Sequence, residues 1–146
     1  MCKQKLSPDG VLVTQSGPGG ILSAQEVFAP IYRTVATVFG EENTHAYAAN
    51  IPSFLDDYGF TMAFKNPATR SPLTRTIEEI DQLLDKKIKG GLATMKFYDG
   101  VTHTHIFNLM KPIRQALKSE KRVISSDNYV FMPCSEGGKF NMPVLL

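Results

Sequence analysis

Two hydrophobic periods alternate along this 146-residue chain. Val11, Leu12 and Val13 make a short apolar run, bounded by Asp9-Gly10 and by Ser16-Gly-Pro-Gly-Gly20. Such a run predicts a strand, Val11–Gln15, buried on both faces and closed by a glycine-rich turn. Helical spacing follows, with Val27, Ile31, Val35 and Val38 on one face and Phe28 and Phe39 widening it. Ser23-Ala-Gln-Glu26 has the form of a capping box for that helix. Pro30 lies inside the pattern, so it either kinks the helix or delays its start. Gly40 is the expected stop. Ahead of the first strand, Met1–Leu6 reads as a last helical turn, closed by Ser7-Pro-Asp-Gly10.

The period then shortens. His45–Ile51 reads as a second strand ended by Pro52, and Tyr58–Lys65 as a third, with Tyr58, Phe60, Met62 and Phe64 on one face. The short connection Pro52-Ser-Phe-Leu-Asp-Asp57 makes these an antiparallel pair, attached to an otherwise parallel sheet. Asn66-Pro67 ends the pair and Ala68–Pro72 is loop. Thr76-Ile-Glu-Glu79 is a second capping-box pattern. Ile77, Ile80, Leu84 and Ile88 mark the buried face of its helix, and Gly90-Gly91 closes it. Asp85 and Lys89 have the spacing of an i,i+4 pair. Phe97-Tyr-Asp-Gly100 is a turn, and Thr102–Met110 fits strand and helix equally. Pro112 suits a helical first turn, with Ile113, Ala116 and Leu117 buried. From Glu120 the pattern weakens, and Cys134–Leu146 is expected to be a poorly ordered tail.

Composition narrows the function classes. The chain is long enough for one modest domain with a core. A formal charge of +2 gives no ground for a nucleic-acid or membrane partner. No apolar run approaches the roughly 20 residues of a membrane span, and the start lacks the apolar segment of a signal peptide. Cys2 and Cys134 lie far apart without metal-ligand spacing, so neither a zinc site nor a disulfide framework is suggested. Cytoplasmic residence is the default expectation. A strand buried on both faces needs parallel neighbours, yet only a few residues precede Val11. Either the later strands supply them, or the chain is part of a larger protein.

Several stretches then fit one pattern. Ser7-Pro-Asp-Gly-Val-Leu-Val-Thr-Gln15, the Ile51-Pro-Ser-Phe54 corner, Tyr58-Gly-Phe60 and Asn66-Pro67 resemble the C-terminal half of the spermidine/spermine synthase family. Phe97-Tyr-Asp-Gly100, His103, Phe107, Leu109 and Arg114-Gln-Ala-Leu117 are similar to the family's closing segment in one register, with Met110 where many members have proline. The resemblance covers most of residues 5–118. Residues 1–118 thus form the acceptor-side portion of a catalytic domain, and 119–146 a C-terminal extension. Gln15-Ser-Gly-Pro-Gly-Gly20 and Ile51-Pro-Ser-Phe54 look closer to thermospermine synthases than to classical spermidine synthases. The latter usually carry a different stretch after the Gln, often with Cys or Glu, and Ile-Pro-Thr-Tyr at the corner.

The resemblance implies an α/β fold, the C-terminal part of a Rossmann-like, S-adenosylmethionine-methyltransferase-type sheet with an antiparallel strand pair and flanking helices. It implies polyamine biosynthesis by an aminopropyltransferase, which moves an aminopropyl group from decarboxylated S-adenosylmethionine to spermidine or putrescine. It places Gln15 beside the amine pocket and Ile51, Pro52 and Phe54 on its wall, as substrate-binding residues. The family's donor loop, its ribose-binding acidic residue and its catalytic aspartate match positions upstream of the Gln15 strand. No catalytic residue, cofactor or metal is therefore expected here, and the chain alone is expected not to turn over. Homo-oligomerisation is a property of the complete enzyme in this family, whose N-terminal β-domain assembles it. Two other readings stay open. One is a non-catalytic binding or assembly module built on the same half-fold; the other is a methyltransferase-like relative with different chemistry, since fold alone does not fix function.

Gln15 also stands where ligands bind in open α/β sheets, just beyond the carboxyl end of a strand. Ser16–Gly20 lacks the spacing of a phosphate loop and reads as a tight turn. On a strand, His103 and His105 would share a face, but no third metal ligand has suitable spacing. Asp56-Asp57 reads equally as a grip for an ammonium group and as a solvated hairpin turn. Lys118, Lys121 and Arg122 read as a solvated surface run.

Overall fold

Three strands, β1 (Val11–Pro18), β2 (Thr44–Ile51) and β3 (Asp56–Phe64), form one sheet in the order β1-β3-β2 in the computed structural model. The structure describes residues 2–54, 56–66 and 71–130. Five helices accompany the sheet among them: α1 (Cys2–Lys5), α2 (Phe28–Phe39), α3 (Ile77–Lys87), α4 (Gly100–Phe107) and α5 (Lys111–Ser119). This mixed α/β arrangement is consistent with a partial Rossmann-like, methyltransferase-type fold.

β3 is central and antiparallel to both neighbours. The expected antiparallel pair is β2 and β3, joined by a 3-10 turn over Pro52–Phe54. β1 differs from its expectation in detail. It reaches Pro18 rather than Gln15, and its partner is the antiparallel β3. Among the described residues it is an edge strand, and Val13 is 49% exposed. The expected burial on both faces is not met among the described residues, where Val11 and Leu12 are half-buried and Val13 exposed: an apolar run does not say what lies alongside the strand or over it.

α2 starts later than its capping box suggests. Residues 21–27 are turns, the N-cap is Val27, and Ser23 Oγ lies 3.5 Å from the Gly20 carbonyl oxygen and 3.4 Å from Asp56 Oδ2. A helix begun at Ala24 would require Pro30 to donate a backbone bond to Glu26, and proline has no N–H. With Phe28 as the first helical residue, Pro30 falls in the first turn, where that donor would have no intrahelical partner.

α3 starts as its pattern predicts, but of the expected buried face only Ile80 is buried, Leu84 being half-buried and Ile77 and Ile88 exposed. Thr76 Oγ1 accepts from Glu79 N at 3.2 Å, and Glu79 Oε2 accepts from Thr76 N at 2.8 Å, closing the capping box. The Asp85–Lys89 spacing is not used as expected, because Lys89 lies past the helix end at Ile88; Asp85 Oδ1 accepts from Leu92 N at 2.7 Å. The ambiguity at 102–110 resolves as α4. Its N-cap, Asp99, accepts from Thr102 N at 2.7 Å, which a strand would not require.

The two sheet faces are dressed differently. On one, Phe28 of α2 is fully buried over Gly59, and Ala24, Ala29, Leu109, Ile113 and Leu117 complete the core, with α2 against α5. The other face carries Tyr58, Phe60, Met62 and Phe64, the predicted large positions, with His45 and Tyr47 of β2 in register beside them. Beyond α5 the chain runs across α2, where Ile124 N donates to Thr34 Oγ1 at 2.8 Å. The expectations for Cys134–Leu146 and for most of Ala68–Pro72 lie outside the described residues.

Candidate functional site

Strand direction decides where the sequence-predicted residues meet. β1 runs antiparallel to β3, so its carboxyl end lies beside the start of β3, with Gln15 opposite Phe60 and Pro18 opposite Tyr58. β2 delivers its carboxyl end to the same place, where Ile51–Phe54 turns the chain into β3. Ile51, Pro52 and Phe54 therefore lie at the end where β2 turns into β3, while Gln15 pairs with Phe60 midway along β3, on the opposite side of that strand from β2. Gly19 N donates to the Asp57 carbonyl at 2.7 Å, which fixes the turn after β1 against β3.

Local backbone shapes this end. The register shifts between Gln15 and Pro18, a bulge at Gly17, whose φ of 94° is a left-handed value that glycine adopts without strain. Ser16 thereby turns inward, fully buried, and its Oγ lies 2.9 Å from Thr61 Oγ1. Ser16–Pro18 is thus bulged strand rather than the expected tight turn, which begins only at Gly19. Asp56 and Asp57 are the first residues of β3, opposite Ile51 and Asn50, and not a solvated hairpin turn.

The end is open to ligand. Gln15 and Pro52 are exposed, Ile51 is half-buried, and the Phe54 ring is 49% exposed. Behind Phe54 runs a row of rings. Phe54 and Tyr58 have centroids 4.5 Å apart, Tyr58 and Phe60 6.2 Å, and Phe60 stacks on Tyr47 at 5.0 Å. Tyr47 also meets Phe107 of α4 at 5.0 Å. Chemically, this end offers an amide carbonyl, two carboxylates and aromatic faces. These are the groups that hold ammonium nitrogens and pack on methylenes.

The row ends in a hydrogen-bonded triad. His103 Nε2 lies 2.6 Å from the Pro72 carbonyl oxygen, and its Nδ1 lies 2.5 Å from Tyr98 Oη. A carbonyl only accepts, so Nε2 carries the proton and Nδ1 accepts from Tyr98. Burial pushes the Tyr98 phenol up, reinforced by Tyr47, and burial also raises Tyr47. The helical α4 separates the two histidines considered as a metal pair: His103 is buried and His105 exposed. Among the described residues no three potential ligands come together. Tyr47 was legible as the large member of an alternation with Ala46 and Ala48. Tyr98 was legible only as part of the Phe97-Tyr-Asp-Gly100 stretch, with no role attached.

Elsewhere, a cavity of about 300 Å³ at the outer edge of β2 is lined by Arg33, Arg114 and Lys118, a sign unsuited to a cationic amine. No helix among the described residues is long and apolar enough to cross a membrane.

No family model matches the chain. Among curated proteins it is 35% identical over 130 residues to thermospermine synthase ACAULIS5 of Arabidopsis thaliana, covering 89% of this chain and 35% of that one. It is 36% identical over 133 residues to the polyamine aminopropyltransferase of Sulfolobus acidocaldarius, covering 90% and 40%, and 34% identical to that of Aeropyrum pernix, covering 91% and 40%. The chain spans only about 35–40% of the length of these relatives. Along about nine-tenths of its own length, this chain is similar to the C-terminal half of the polyamine aminopropyltransferases.

Proposed function

We propose that this chain serves polyamine biosynthesis as the acceptor-binding side of an aminopropyltransferase that uses spermidine or putrescine. What supports this reading is the exposed turn of Pro52 and Phe54 beside Asp56 and Asp57, linked by the rings of Phe54, Tyr58 and Phe60 to the exposed Gln15 opposite Phe60. The names of its relatives supply the reaction class.

The complete reaction is a displacement. A neutral acceptor amine attacks the carbon beside the sulfonium of decarboxylated S-adenosylmethionine; a C–N bond forms, the C–S bond breaks, and the thioether leaves with its electron pair. The nitrogen's proton must go to a base. In this chain Gln15 Oε1 accepts from the acceptor nitrogen and orients its lone pair, while the Phe54 ring packs on methylenes or faces a distal ammonium. Asp56 and Asp57 draw the cation to the sheet end. None of these is assigned as the base, so the chain by itself is proposed to bind an amine without transferring to it.

Calorimetric titration of the folded chain tests this. Spermidine is expected to bind saturably and methylthioadenosine not at all. Gln15→Ala should weaken spermidine roughly three- to tenfold, the worth of one net hydrogen bond. A second reading, a non-catalytic assembly module, draws on the edge position of β1 and its exposed Val13. A folded chain that binds neither spermidine nor putrescine would favour that module.

A further inference from the structure

The cavity at the outer edge of β2 has a chemistry of its own. Its floor is apolar and partly aromatic, with Phe107 and Leu117 prominent, and Tyr32 lines it from α2. Its charge is one-sided. Arg33, Arg114 and Lys118 line it against a single carboxylate, Glu41, which Arg33 already pairs. Among the described residues, the ion pairs are Arg33–Glu41 and Arg122–Glu120, so neither Arg114 nor Lys118 has a carboxylate partner there.

Both guanidinium groups are held in place by bonds within the chain. Arg33 Nε is buried and makes no hydrogen bond, although its neighbouring Nη1 bonds Glu41. A buried N–H without an acceptor is costly, but this nitrogen has no accessible surface, so it is Nη1 and Nη2 rather than Nε that an anion in the cavity would meet. Arg114 is oriented in advance, because its guanidinium donates to the Leu109 carbonyl. Burial holds His45 below the ordinary imidazole range, so near neutrality it adds no positive charge to the cavity.

We infer that this cavity binds a small organic anion, a phosphomonoester or carboxylate attached to an apolar or aromatic body. The anionic group sits among Arg33, Arg114 and Lys118, and the body lies on Tyr32, Phe107 and Leu117. A volume of about 300 Å³ admits one such molecule and no macromolecule. The surplus positive charge repels polyamines, so this site is separate from the Gln15 end and does not depend on the acceptor reading.

Phenyl phosphate is the probe, titrated into the folded full chain by calorimetry, with inorganic phosphate and phenol alongside. Saturable binding in the roughly millimolar range is expected for phenyl phosphate, weaker binding for inorganic phosphate, and none for phenol. Lys118→Gln should weaken phenyl phosphate about fivefold, and added salt should weaken it further. Lys121→Gln removes the same charge outside the cavity lining and should leave binding unchanged. Equal weakening by the two substitutions, or no binding by a folded wild-type chain, would overturn the site. Because spermidine binding is read in a separate titration, failure here and failure of the acceptor reading are distinguishable.

Discussion

Gly59 has no room for a side chain. A methyl group there would lie 2.6 Å from ring atoms of Phe28, which is itself fully buried. Gly59→Ala should therefore destabilise the fold by about 1–3 kcal/mol, the cost of overpacking a tight core, measured as a lower urea midpoint at unchanged slope. His45 gives a residue-scale pH effect. Burial lowers its folded pKa below the ordinary imidazole value of 6.5, so the unfolded chain takes up that proton first as pH falls. Stability from keeping this ring neutral is present above about pH 6.5 and is lost as pH falls toward the lowered folded value. Tm should thus fall on going from neutral to mildly acidic pH, and His45→Gln should flatten part of that fall. An equal slope in the variant would show that His45 is not responsible.

The elements show what is legible from sequence and what is not. The box at Thr76–Glu79 was legible because its two reciprocal bonds are purely local, and both form. Thr76→Ala should cost about 1 kcal/mol and fray the start of α3, visible as faster amide exchange in residues 77–80. The identical pattern at Ser23–Glu26 forms no cap, because Pro30 lies where a backbone donor would be required. Strand facing was also legible: the large residues of β3 share one side, as alternation demands. The Gly17 bulge was not, since a glycine between a strand and a Gly/Pro cluster fits a turn equally well. Nor could 102–110 be settled until Asp99 was seen to cap α4. That one cap also separates His103 from His105.

For the molecule as a whole, the partners of β1 and the meeting of sheet ends are long-range facts. Periodicity finds β1, β2 and β3 but does not place β3 between the other two. The resemblance marked Gln15, Ile51, Pro52 and Phe54 individually; the order β1-β3-β2 sets Gln15 across β3 from the other three, with the rings of Tyr58 and Phe60 between them. The cationic cavity had no sequence signature, because its arginines and lysine come from α2 and α5, far apart in the chain. The molecule thus presents two chemistries, an amide, carboxylate and aromatic end beyond β1, and a cationic cavity beside β2. Amide chemical-shift mapping of the folded chain with spermidine tests the central claim most directly. Shifts are expected to concentrate at Gln15–Gly20 and at Ile51–Gly59, including the Gln15 side-chain amide. Shifts confined to α2 and α5, or spread evenly over the acidic residues of the surface, would contradict it.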